Sequence, residues 1–67
     1  KYAERVDFVG STLIYRAEAA PGTPESAPAW RIYRLELGAG GDVTTTWAGG
    51  TSTFDKAWDD RAGLVYL

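Results

Sequence analysis

The sequence predicts a mainly β fold: a small antiparallel sheet, or a partly closed barrel, of four to five strands with one short helical turn. Three observations carry this expectation. Apolar and polar residues alternate along several short runs, the period of a half-buried strand. Gly and Pro interrupt those runs at close intervals. The chain of 67 residues leaves room for a single domain over residues 1–67.

The first run, Glu4-Arg5-Val6-Asp7-Phe8-Val9, places Val6 and Phe8 on one face. Gly10-Ser11 ends it, as a tight turn or as a bulge within one long strand. Thr12 to Glu18 alternates again, with Leu13, Tyr15 and Ala17 on one face and Thr12, Ile14, Arg16 and Glu18 on the other. Residues 19–28 hold all three Pro and no large apolar side chain, so they form a stiff loop, either lying on the surface or projecting as an arm.

Trp30 to Leu37 has the strongest strand character. Its apolar set changes face midway, from Trp30 and Ile32 to Leu35 and Leu37. A bulge near Tyr33-Arg34 would do this, and so would a strand buried on different faces at its two ends. Gly38-Ala39-Gly40-Gly41-Asp42 supplies a turn with free access to positive φ, and Val43 to Ala48 follows with Thr and Val, whose branched Cβ favours strands. Residues 30–37 and 42–48 are thus expected to form a hairpin.

After Gly49-Gly50, the segment Phe54 to Ala62 is the one place for a helix, or else for one turn plus an irregular crossing. Ser52 and Asp55 approximate a capping box, Phe54 and Trp58 stand four apart, and Gly63 is placed to end it. Leu64 to Leu67 closes the chain as a strand.

Composition removes several functions. There is no Cys and no His, so disulfides, thiolate chemistry, a zinc site, a Ser-His-Asp triad and a Cys-His dyad are excluded. Net charge is −2, and residues 1–40 balance five basic against five acidic side chains, so the basic stripe of a nucleic-acid binder is missing. No apolar run nears the roughly 18 residues of a membrane span. The absence of Cys fits a reducing cytoplasm. The chain begins with Lys1 rather than Met, as a processed or trimmed start would. Three Trp and four Tyr are many for this length, and interfaces favour Tyr, Trp and Arg.

Three clusters invite a chemical reading. Asp55, Asp59 and Asp60 raise a calcium site or a carboxylate pair for glycoside hydrolysis, but the spacing does not match a calcium loop and the chain is too small for a substrate cleft. Capping by Asp55, and ion pairing of Asp59 or Asp60 with Arg61 or a strand Arg, is the favoured account. Trp30, Trp47 and Trp58 are candidates for core, interface or sugar stacking, with at least two needed for the core. Arg16, Arg31 and Arg34 are read mainly as partners of Glu18, Glu36 and the acidic segment, with Arg31 and Arg34 also candidates for an interface. No phosphate-binding Gly loop, metal or cofactor is indicated.

Gly22-Thr23, Trp30-Arg31-Ile32 with Arg34, Trp47-Ala48, Phe54-Asp55, Trp58-Asp59-Asp60-Arg61-Ala62, Leu64 and Tyr66 together form a series. Over about residues 20–67 this series resembles small virion-associated proteins of tailed bacteriophages, most specifically in its closing Phe-Asp-x-x-Trp-Asp-Asp-Arg-Ala-x-Leu-x-Tyr. Those proteins usually continue Ala-Asp-Gly after the hairpin Trp; here Gly49 stands in place of the Asp. The resemblance implies a non-enzymatic structural component of a virion, made in the host cytoplasm and resident in head, neck, tail or fibre. Its expected partners are other virion proteins and copies of itself. A second implied role is a carbohydrate-binding or host-surface module of an attachment apparatus.

Overall fold

Each strand of the sheet pairs with its neighbour in the chain. The structure, a computed structural model, describes residues 1–67. It contains β1 (Ala3–Val9), β2 (Leu13–Ala19), β3 (Arg31–Leu37) and β4 (Val43–Trp47), followed by a 3₁₀ turn, Trp58–Gly63. The strands form one antiparallel sheet in the order β1-β2-β3-β4, open at both edges rather than closed into a barrel.

The glycine breaks make this meander possible. Val9 pairs with Leu13, so Gly10 opens a tight turn and not a bulge, and its φ of 64° is the left-handed conformation that favours Gly. In the β3–β4 turn Gly40 and Gly41 take φ of 91° and 89°, while the Gly38 N–H donates to the Asp42 carbonyl. The hairpin expected over residues 30–37 and 42–48 is present, with its regular pairing running from Tyr33–Trp47 to Leu37–Val43.

No bulge interrupts β3. Its register against β2 and against β4 is continuous. The change of apolar face is instead a difference between its two ends: Trp30 and Ile32 are buried on one side, whereas Leu35 is half-buried and Leu37 exposed on the other.

Cross-strand partners share a face, so the register assigns every side chain. The covered face carries Arg5 and Asp7 from β1, Tyr15, Ala17 and Ala19 from β2, Ile32 and Arg34 from β3, and Thr46 from β4. The small Ala17 and Ala19 leave room over the middle of the sheet. That room is filled by the same buried cluster's Trp30, Trp58 and Tyr66.

The closing segment is one turn plus an irregular crossing, not a helix over 54–62. The Trp30 and Lys56 main chains exchange two hydrogen bonds, 2.8 and 2.9 Å long, as an isolated β-bridge. This pairing takes the Lys56 N–H and carbonyl that a helix would use, and Ala57 remains extended (φ −96°, ψ 133°). Helical backbone therefore starts only at Trp58, without a side-chain cap, and Ser52 and Asp55 cap nothing. Phe54 does not face the sheet with Trp58; it is exposed, and its ring packs on Tyr2 at 5.5 Å. The expected last strand reduces to a single bridge, Ala48–Tyr66, with Gly49 N–H donating to Val65 O at 2.8 Å and Leu67 N–H to Trp47 O at 3.1 Å.

The Pro-rich loop folds back onto the body and does not project as an arm. The Pro24 carbonyl accepts the Trp30 indole N–H at 2.9 Å, Glu25 pairs with Arg5 at 2.6 Å, and the Glu25 carbonyl accepts the Asp59 N–H at 3.1 Å.

Only nine residues are fully buried, so each one contributes a large share of the core. Ile32 is 1% exposed at its centre. Ile32→Val, which removes one methylene, is expected to cost about 0.5–1.5 kcal/mol, read as a lowered denaturation midpoint with an unchanged slope.

Candidate interaction face

The sheet has a second face that no element covers. The register arranges it in rows across the strands. One row is Val6, Arg16, Tyr33 and Trp47; the next is Phe8, Ile14, Leu35 and Thr45; Leu37 and Val43 extend it. Glu4, Glu18 and Arg31 form a polar row at the opposite end. Phe8 keeps 65% of its surface in solvent, Val43 57% and Val6 50%; Tyr33, Leu35, Ile14 and Trp47 are half-buried. Contiguous exposed apolar surface of this kind marks an interaction site.

The alternation in β1 has its apolar side turned outward. Arg5 and Asp7 point to the covered face, while Val6 and Phe8 point away from it. The reason lies in distant partners: Glu25 meets Arg5, and Arg61 meets Asp7. Trp47 and Arg31 of this face are candidates the sequence already offers, but its aliphatic residues are not marked there individually. The one available signal was Ile14, an apolar residue on the face of β2 opposite Leu13, Tyr15 and Ala17.

Of the three Trp, two are interior. Trp30 is fully buried beneath the Arg5 guanidinium, 5.1 Å from its ring centroid. Trp58 is 5% exposed, with the Arg61 guanidinium 4.3 Å from its ring. Neither is available to an interface, because both are consumed in closing the core. Trp47 alone lies on the open face, with its ring 4.8 Å from that of Tyr33 and tilted by 46°. The Arg16 guanidinium stands 5.7 Å from the Tyr33 ring on the same face. The tilt keeps the two rings from forming one flat platform.

The remaining candidates divide between the two faces. Arg31 pairs with Glu18 and lies over Tyr2 and Phe54, tying the polar row together. Arg34 is on the covered face, above the Tyr66 ring at 4.6 Å, with Glu36 beside it at 3.3 Å. Arg61 is bound by Asp7 at 2.9 Å, across 54 residues, and by the Trp58 carbonyl at 3.1 Å. Asp59 and Asp60 are therefore not its ion-pair partners. The 3₁₀ geometry turns both outward, where they line a shallow open depression with Ala62, Gly63 and Leu64. Asp55 caps no helix; its carboxylate accepts from the Lys56 ammonium, which holds its pKa below the usual carboxylate value. No group of three acidic side chains gathers as a metal site would need. No helix is long and apolar enough to cross a membrane.

Comparison with known protein families, with curated proteins and with solved structures finds no match to this chain.

Arg61 and Tyr66 lock the closing segment under the sheet. The Tyr66 hydroxyl donates to the Arg61 carbonyl at 2.7 Å, and its ring packs 5.6 Å from Tyr15. Arg61→Ala should cost about 1–3 kcal/mol in denaturant titrations, because Asp7 and the Trp58 carbonyl lose their donor. Burial pushes the Tyr66 phenol up to about 12. The folded state then holds this proton more tightly than the unfolded chain, whose Tyr titrates near 10. The associated stability is whole below about pH 10 and is lost as pH rises toward 12. Wild type should lose about 2 kcal/mol more than Tyr66→Phe across that interval, read from unfolding curves at pH 9.5 and 11.5.

Proposed function

We propose that this protein is a non-catalytic structural module of a larger assembly, docked through its open sheet face. Following the resemblance of residues 20–67 to small virion-associated proteins of tailed phages, we take that assembly to be a virion. The observation that carries the docking role is the apolar surface of Val6, Phe8, Ile14, Leu35, Leu37 and Val43, left uncovered on a sheet whose other face carries the core. A sheet of this size gains little from exposing that surface to water and much from burying it against a neighbour.

The carbohydrate-binding reading has less support. Its best ring, Trp47, is half-buried and tilted against Tyr33, and Arg16 occupies the space near the Tyr33 ring.

The test is imaging of intact particles that carry this chain. Its density is expected in many copies, with the face of Phe8 and Trp47 against a neighbouring subunit. Phe8→Glu alters an exposed side chain, so the isolated protein, held dilute enough to be monomeric, should keep its circular dichroism and melting temperature. The same variant should fall at least tenfold in particle-associated protein on quantitative blotting. Particles that incorporate Phe8→Glu at the wild-type level would overturn the docking role.

A further inference from the structure

The rows of the open face have a left-to-right order that suits a second copy of the same face. In one row the outer residues are Val6 on β1 and Trp47 on β4, small against large. In the next they are Phe8 on β1 and Thr45 on β4, large against small. Turning a second sheet over, about an axis parallel to the strands and between β2 and β3, reverses each row onto itself. Trp47 then meets the partner's Val6, Phe8 meets the partner's Thr45, and Ile14 meets the partner's Leu35. Arg16, which already stands beside Tyr33, meets the partner's Tyr33. At the outer strands each large side chain faces a small one, which suits sheets packed about 10 Å apart.

Charge permits the same arrangement. The charged side chains of this face are Glu4 and Glu18 against Arg16 and Arg31, so two copies carry no net like-charge repulsion. The area also suffices. Val6, Phe8, Leu37 and Val43, between 40% and 65% exposed, offer on the order of 350 Å² of mostly apolar surface. With the half-buried centre of the face, two copies would remove about 1,100 Å² from water, the lower end of specific interfaces.

We infer that the occupant of the open face is a second copy of this chain, packed as a two-fold sandwich of aligned sheets with Phe8 against the partner's Thr45. The inference rests on the docking role proposed above and names its partner. An interface of this size gives a dimer whose population depends on concentration.

Sedimentation equilibrium of the isolated protein, from micromolar to millimolar, reads the mass directly. Wild type should move from 7.3 kDa toward twice that value as concentration rises. Phe8→Glu and Thr45→Lys should each remain monomeric with unchanged circular dichroism, since both replace exposed side chains. An equimolar mixture of the two should regain the doubled mass. In the mixed pair the Glu at position 8 of one copy faces the Lys at position 45 of the other, and the second such contact is native. A wild type that stays at monomer mass at millimolar concentration overturns the inference, and so does a mixture that stays monomeric. A dimer unaffected by Phe8→Glu overturns it too, because the contact then lies elsewhere. The docking role fails separately. If wild type is monomeric yet Phe8→Glu is still lost from particles, the face serves a different subunit and only the two-fold pairing is wrong.

Discussion

Trp30 stands where three otherwise independent parts of the chain meet. Its main chain exchanges hydrogen bonds with Lys56, its indole N–H is held by the Pro24 carbonyl, and its ring lies under Arg5 with no solvent exposure. One residue thereby fixes the start of β3, the path of the Pro-rich loop and the point at which the closing segment crosses the sheet. An indole N–H left without a partner at this depth would cost more than the bond itself contributes. The loop must therefore curl back to present Pro24, and that brings Glu25 within reach of Arg5 and of the Asp59 N–H.

The crossing decides which face of the sheet is covered. From Lys56 onward the chain runs beneath Tyr15, Ala17 and Arg34, delivering Trp58, Arg61 and Tyr66 in turn. A guanidinium lies over each of six rings: Trp30, Tyr66 and Trp58 take theirs on the covered side, whereas Tyr2, Phe54 and Tyr33 take theirs from Arg31 and Arg16 of the other face. The closing segment is spent on the covered face and leaves the second face open. Its apolar side chains stay in solvent because the residues that could shield them are committed underneath.

What the sequence made legible was local. Branched Cβ atoms and glycines marked the β3–β4 hairpin and the Gly10 turn, since both depend on residues within a few positions. The failures were contacts between distant positions. Local signals left 54–62 open between a helix and one turn with an irregular crossing, and pairing of Lys56 with Trp30 decides for the second. Asp59 and Asp60 were the nearest carboxylates to Arg61 in sequence, yet a charge 54 residues away took its place. Val6 and Phe8 followed the ordinary alternation, but nothing in β1 discloses that Arg5 and Asp7 have partners inside. The three Trp could be counted in advance; which one is left over could not, because Trp30 and Trp58 are distinguished from Trp47 only by the crossing.

The meander order has a consequence for how the molecule comes together. Strands adjacent in sequence close only short loops to pair, so the four-stranded sheet can form with small losses of chain entropy. The lock of Arg61 on Asp7 and of Lys56 on Trp30 must wait for that template. Residues 54–67 contribute no strand to the ladder, so their release would break the Trp30–Lys56 and Ala48–Tyr66 bridges but no strand pair. Amide protons of the ladder are then expected to outlast those of the closing segment in hydrogen exchange.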